Sequence, residues 1–550
     1  MNFEKISSPR LRQNISAISI GALAFLYFAN WRFLDIKNVG WLFSGANTDK
    51  ASAYLGWEFF RQTQWTIPLG QNESFGLLPS NSIAYSDSIP LLAIIFKLFN
   101  SNLGTSFQYF GIWLLACFVL QSLFTALIVR MFTEDYITIA VACCLSVMIP
   151  FFLQRVPIHL ALSGQFLILA SFYLILRSRK EVNTRLAWLI LNACSLMIHP
   201  YLFVSVFAIY GAQLLDLYRL KLQHKRAIFF EAFINVFTLA IIFRYVLGIS
   251  LSNQIAISKT PYGAYPWNLL SLFNPRDWPR FLTFYPARDS SFETFSYPGL
   301  GILLILLLAT FLAIKDRRCS LGLIFKYASL ASVSVVLLLF AITNRVGIGD
   351  LRINVFESSL IEEKLSMFRA SARMAWPFVY ALIFASIIFV IKKMGKKKSI
   401  PILLFSLAVQ FADVRVAPDF LFPQNGEKYV YTSPSIDPEW MKVKGKYRRM
   451  LVLPSPNSDF AGWPEMAIIA NEIGAETNAA YVARFNSDEL KTVKNQIVEA
   501  INSGNYESES IYVIYSDSKI KIDRVSAADR LWFLEGKIVI LPDWYRKTNS

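Results

Sequence analysis

The sequence predicts a mainly α fold: a polytopic transmembrane helical bundle of about eleven spans, followed by a small C-terminal α/β extracytoplasmic domain. Three observations predict it. Of 550 residues, 55% are hydrophobic and 15% aromatic, while 17% are charged, below the roughly 25% usual in soluble domains. Apolar runs of the length needed to cross a hydrocarbon core of about 30 Å recur up to residue 412. From Asp413 onward the pattern changes to short apolar segments alternating with amphipathic helical ones.

The first apolar run, Ile15 to Trp31, follows Lys5, Arg10 and Arg12 and has no small-residue cleavage site after it, so it reads as a retained signal-anchor. Counting that run as a span near 15–33, the others lie near 107–131, 136–153, 157–176, 186–198, 200–218, 227–248, 297–314, 321–343, 374–391 and 399–412. Basic clusters at Arg177–Lys180, Arg219–Arg226, Lys315–Arg318 and Lys392–Lys398 fall in short loops on one face. The positive-inside bias assigns that face, with the basic N-terminus, to the cytoplasm. The long connections 34–106, 249–296 and 344–373 and the tail then fall outside. The expected division is a transmembrane domain 1–412, with a large first outer loop 34–106, and an extracytoplasmic domain 413–550. A bacterial inner (plasma) membrane is the expected location.

Within the first loop, Asn47 to Phe99 carries Asp49, Glu58 and Asp87 among many aromatic residues. It is too long for an ordinary helix connection and too aromatic for disorder. Ile89 to Phe99 (IPLLAIIFKLF) is too short to span, Pro90 suits a helix start and Lys97 can snorkel, so an interfacial helix is expected. Trp57, Phe59, Phe60 and Trp65 have the spacing of a second interfacial helix. Interfacial anchoring accounts for the tryptophans. It leaves the carboxylates unexplained.

In the tail, Arg449 to Pro454 (RMLVLP), Ser510 to Tyr515 (SIYVIY) and Lys537 to Pro542 (KIVILP) read as buried strands, with helices near 460–475 and 486–503 between them. That alternation predicts a small α/β domain. The tail has no Gly-rich phosphate loop, GxSxG elbow or HExxH motif.

Net charge is +16, but its distribution excludes a nucleic-acid partner. From Asp413 onward there are 17 Lys and Arg against 19 Asp and Glu, and before it 37 against 19. The excess therefore lies in the membrane half, where it sets topology. The five cysteines, Cys117, Cys143, Cys144, Cys194 and Cys319, lie in or beside expected helices and make neither a disulfide framework nor a zinc spacing.

Several residues are candidates for chemistry. Arg155 and His159 (QRVPIH) stand where the third span emerges, and His199 (IHPY) stands at a later turn on the same face. Polar groups at the cavity ends of membrane helices are functional candidates, although each histidine also suits a structural role at a helix end. His224 sits in a cytoplasmic basic cluster and reads as a surface charge. Asp49 reads either as a helix N-cap or as a base projecting into a cavity, and Asp87 (YSDSIP) equally suits a cap for the helix from Pro90. Glu58 reads as structural. Glu293 (DSSFETFSYPGLG) lies in an aromatic loop leading into the eighth span. Arg369 and Arg373 (FRASARMAWP) stand four apart, on one face of a helix entering the membrane. They suit either lipid headgroups or the phosphate of a lipid-linked substrate, since guanidinium matches phosphate geometry.

The strings TDKASAYLGWEFFRQTQWTIPLG, YSDSIPLLAIIFKLF, FETFSYPGLG and FRASARMAWP resemble an uncharacterised bacterial membrane-protein family within the type C (GT-C) polytopic glycosyltransferases. The likeness covers most of residues 15–412, and the tail by position alone. It implies transfer of a sugar from a polyprenyl-phosphate-linked donor to a cell-envelope glycan or lipid acceptor on the outer face. It implies Asp49 as general base and Asp87 as a second carboxylate holding the acceptor or a divalent cation (Mg or Mn). Arg369 or Arg373 would neutralise the leaving phosphate, with His159 or a metal assisting, and Arg155, His199 and Glu293 completing the substrate site. The first loop lacks a compact DxD or ExD pair, which weakens the metal expectation, and WWDYG is absent, which argues against an asparagine acceptor. The competing readings are a lipid or polysaccharide flippase, a polysaccharide polymerase, and a non-catalytic scaffold. A flippase would carry ionisable residues in mid-span and inverted hydropathy repeats.

Overall fold

The computed structural model describes residues 9–43, 49–104, 106–180, 182–249, 255–256, 262–276, 278, 281, 292–317, 322, 325–415, 417, 437–454, 462–515 and 525–549. Cys319, the Gly45–Thr48 lead into Asp49 and the Asp289–Ser291 lead into Glu293 lie outside them. The chain forms two compact units: residues 1–36, 109–239 and 258–428, and residues 37–108, 240–257 and 429–550.

The first unit is helical. Five stretches among the described residues are long and apolar enough to cross a membrane: Phe110–Val129, Leu160–Ser178, Pro200–Arg219, Lys225–Val246 and Ser371–Val414. This is fewer than the eleven expected. Tyr136–Val147, Arg185–Ile198, Leu300–Lys315 and Ala328–Ile342 are apolar but shorter; Tyr136–Val147 stops at Met148, just before Pro150 starts a separate turn. The expected pair 374–391 and 399–412 also forms one run, Trp376–Val414, interrupted where Gly395 takes φ 67°, ψ 168°, a conformation open to glycine. The expected first span forms the helix Pro9–Phe28.

Hydrocarbon cannot drive apolar helices together, so small residues and polar side chains join them. Gln121 Nε2 donates to the Tyr380 hydroxyl at 2.9 Å, and that hydroxyl donates to Gln165 Oε1 at 2.6 Å. Asn192 donates to Asn235, which donates to Tyr210, each at 3.0 Å. Cys143, in a buried helix face, donates from Sγ to the Ser122 carbonyl at 3.3 Å, a packing role. Gly301 lies so close to Ser406 and Gln410 that an added Cβ would collide with both. Beside it, Asp413 Oδ2 accepts from Tyr297 Oη at 2.7 Å and from Leu300 N at 2.9 Å. A carboxylate from the last helix thereby caps the start of Leu300–Lys315.

The second unit is built on a five-stranded sheet. Its strands are β1 (Arg449–Leu453), β2 (Glu476–Thr477), β3 (Ser510–Tyr515), β4 (Arg530–Leu534) and β5 (Lys537–Leu541), in spatial order β2-β1-β3-β5-β4. The first three are parallel, and β5 runs antiparallel to β3 and β4. Helices fill the parallel connections as expected: Trp463–Ile473 ends at left-handed Gly474, and Ser487–Ser503 starts at an Asn486 cap and ends at left-handed Gly504. The β4–β5 hairpin turns on Glu535 and Gly536, both at positive φ, the geometry that matches strand twist. Leu451, Leu453, Ile497, Ile501, Tyr512, Ile514 and Ile540 form the core beneath it.

The first loop belongs to this second unit rather than to the helical one. Gly76 N donates to Thr477 O at 2.7 Å, and Thr477 N donates back to Ser74 O at 3.0 Å. Ala483 N donates to Tyr85 O at 2.7 Å, and Ser52 Oγ donates to Tyr481 O at 2.6 Å. The segment expected to be an amphipathic interfacial helix is Asp49–Gln62, buried from Lys50 to Arg61. Trp57 and Phe60 have no exposed surface, so their aromatic faces serve the core. Gly56 lets the helix approach Ser86 and Ser88, where a Cβ would clash. The second expected interfacial helix is Pro90–Lys97. Ile95, Leu98 and Phe99 are exposed, as that expectation requires, but Lys97 is buried. Instead of snorkelling, it donates to Thr63 Oγ1 at 2.9 Å and sits 4.0 Å above the Phe60 ring.

Candidate functional site

The helical unit brings together five of the eight sequence-predicted site residues. Arg155 follows the short helix Pro150–Leu153, and His159 caps the 3-10 turn Leu160–Ser163. His199 joins Arg185–Ile198 to Pro200–Arg219. Glu293 lies in the 3-10 turn Phe292–Thr294, and Arg373 in the 3-10 turn Ser371–Ala375 that leads into the Trp376 helix. All five stand where helices begin or end. There the backbone leaves the regular ladder, and side chains can turn toward one point.

That point is the Glu293 carboxylate. Arg373 donates from Nε to Oε2 at 2.8 Å and from Nη2 to Oε1 at 2.5 Å. Arg155 donates from Nη1 to Oε2 at 3.0 Å, and His159 Nε2 lies 3.3 Å from Oε1. Burial alone would raise the Glu293 pKa, but Arg373, Arg155 and His159 overcome it and hold the carboxyl well below the usual range. Glu293 is therefore ionised across the physiological range and cannot act as an acid.

The cations are themselves held from outside. Arg155 is fully buried, with its guanidinium 4.7 Å from the Phe292 ring centroid and 5.4 Å from that of Trp376. Arg373 lies 4.9 Å from the Tyr201 ring centroid, and the Tyr201 hydroxyl accepts from Ala370 N at 3.0 Å, which anchors the segment carrying Arg373. His199 Nδ1 accepts from Tyr201 N at 3.1 Å, so this imidazole carries its proton on Nε2 when neutral. Burial, reinforced by Arg373 and His159, lowers its pKa well below the ordinary value and keeps it neutral. Tyr201, Phe292 and Trp376 were not singled out from the sequence. Their signal was adjacency, in HPY, FET and RMAW, which acquires meaning once the arginines are placed.

The remaining three residues lie on other elements. Arg369 ends the 3-10 turn Ser366–Phe368, and Ala370 breaks the helix before Arg373 with φ −92°, ψ 53°. The expected one-face pairing of the two arginines therefore does not form. Asp49 is the first residue of Asp49–Gln62 in the second unit, half-buried. Asp87, in the same unit, ends the turn Ile83–Ser86 in the left-handed region at φ 56°, while Ile89 occupies the cap of the Pro90 helix. Asp87 is thus not that helix's cap. Among the described residues no three His, Cys, Asp or Glu side chains are grouped to hold a metal ion. Glu58 is buried and paired with Arg61 at 3.2 Å, and Arg61 also donates to Asn100 Oδ1, Leu103 O and Gly104 O at 2.8, 3.0 and 2.7 Å. That is a structural tie.

A family profile described as a domain of unknown function (DUF6311) matches residues 18–415, and the DUF6311 C-terminal domain matches residues 439–541. The chain belongs to the DUF6311 family. No curated protein and no solved structure matches it.

Proposed function

We propose that this DUF6311 protein is a membrane glycosyltransferase that moves a sugar from a polyprenyl-phosphate-linked donor to a glycan or lipid of the cell envelope. The observation that carries the reading is the convergence of Arg155, Arg373 and His159 on one anion, at the ends of apolar helices. A lipid-phosphate leaving group needs such a site: donors fixed in place, largely removed from water, and aimed at developing negative charge. Arg373 meets two oxygens at once, the geometry suited to phosphate. In the step itself, the bond from the anomeric carbon to the phosphate oxygen breaks and a bond to the acceptor oxygen forms. The acceptor proton passes to a carboxylate, which the resemblance assigns to Asp49, and Asp87 helps hold the acceptor. On this reading the chain crosses the membrane about eleven times, with a cytoplasmic N-terminus and an extracytoplasmic tail.

The test uses the full chain in proteoliposomes with a panel of polyprenyl-phosphate hexoses and pentoses, and measures released polyprenyl phosphate. Release by the wild type, lost in Asp49→Asn at unchanged membrane insertion, is the expected result. Retained release in Asp49→Asn removes that residue from the mechanism. Movement of lipid-linked sugar across the bilayer with no release replaces the transferase with a flippase.

A further inference from the structure

We infer that Glu293 is an internal stand-in for a phosphate group, occupying the Arg155–Arg373–His159 site until a phosphate ester displaces it. The inference rests on the proposed donor chemistry for the identity of the ester, and on geometry for the exchange. A single carboxylate here accepts four contacts from three side chains: Arg155 and Arg373 at Oε2, Arg373 and His159 at Oε1. A carboxylate has two oxygens to offer these donors, and a phosphate monoester has three non-bridging ones.

The donor set is not saturated. Arg155 is wholly buried, yet its Nε has no hydrogen-bond partner among the described residues, and its Nη2 reaches the carbonyls of Phe292 and Glu293 only at 3.5 Å. A buried guanidinium donor left unspent costs free energy, and an additional acceptor oxygen would recover it. The ring faces of Phe292 and Trp376 hold this guanidinium without using its N–H groups. The side chains of Glu293, Arg373 and His159 are not fully enclosed, keeping 15%, 10% and 14% of their surface.

Exchange conserves charge type. The carboxylate leaves the fork, the phosphate oxygens take its four contacts, and the released Glu293 turns to solvent. No bond is made or broken. The ligand class is a phosphate monoester, the form in which the lipid phosphate leaves, and inorganic phosphate shares the chemistry.

The experiment measures binding of farnesyl phosphate and of inorganic phosphate to the full chain in nanodiscs, for wild type, Glu293→Gln and Arg373→Gln. Glu293→Gln is expected to bind about tenfold tighter than wild type, because the competing anion is gone, and Arg373→Gln to lose binding. Equal affinity of wild type and a folded Glu293→Gln overturns the stand-in while leaving the lipid-phosphate donor reading intact. Tightening toward inorganic phosphate, with no added preference for the farnesyl ester, supports the stand-in and counts against the lipid donor. A second measurement needs no variant: carbodiimide labelling of Glu293 in the wild type should rise several-fold as farnesyl phosphate saturates. Unchanged labelling at saturation, or no binding of either probe, overturns the inference.

Discussion

Arg373 holds Glu293 by two parallel donors, Nε to Oε2 at 2.8 Å and Nη2 to Oε1 at 2.5 Å, across 80 residues of sequence. A lysine carries the same charge but one nitrogen, and cannot reproduce that fork. Arg373→Lys should therefore leave the protein inserted while lowering the proposed glycosyl transfer by about 10²-fold or more, the scale of losing an oriented transition-state donor. Transfer within a few-fold of wild type would show that bulk charge suffices.

Trp57 distinguishes a core helix from a membrane-surface helix. Because it is fully buried, with Nε1 donating to Phe107 O at 2.9 Å, Trp57→Ala should cost about 3–5 kcal/mol in the unit that contains it. Denaturant midpoints of the full chain in detergent measure this. A cost below about 1 kcal/mol would return the helix to an interfacial role.

Loop and tail make one unit, so cutting one should unfold the other. A chain ending after Lys428 loses the strand Glu476–Thr477 and the partners of Ser52, Tyr85 and Gly76. Limited proteolysis of that truncated chain should cut within 49–104, where the full chain resists. Equal resistance in both would mean that the loop folds alone.

Glu58 sets a pH dependence. Burial raises its pKa from 4.5 to about 7, with Arg61 opposing. The folded state therefore binds this proton more tightly than the unfolded state, and its stabilising contribution is full below pH 4.5 and lost as pH rises to 7. The loss is on the order of 3 kcal/mol. Glu58→Gln, permanently neutral, should flatten the profile of denaturation midpoint between those limits.

Gly301 tests the helix contact near Asp413. Its Cβ would strike Ser406 and Gln410, so Gly301→Ala should destabilise by about 1–3 kcal/mol. Thermal melting in detergent measures it, and an unchanged midpoint would mean that the helices separate freely there.

How far the sequence could be read follows from the range of each interaction. The strands Arg449–Leu453, Ser510–Tyr515 and Lys537–Leu541 were legible, because burial and β-branching are local properties. The edge strand Arg530–Leu534 was missed: its burial alternates weakly, and it pairs only by a hairpin. The candidate residues were legible as types at helix ends, but the expected one-face pairing of Arg369 with Arg373 does not form, because Ala370 breaks the helix between them.

By itself the sequence determined the apolar character, the helices and the α/β tail, since each depends on runs and periods a few residues long. Tertiary structure decided the rest. Arg155 and Glu293 meet across 138 residues, a contact that no local pattern encodes. The aromatic spacing of Asp49–Gln62 is the same for a helix lying on lipid and for one buried in protein. Only the neighbours, Phe75, Ser86 and Tyr481 among them, make it the second.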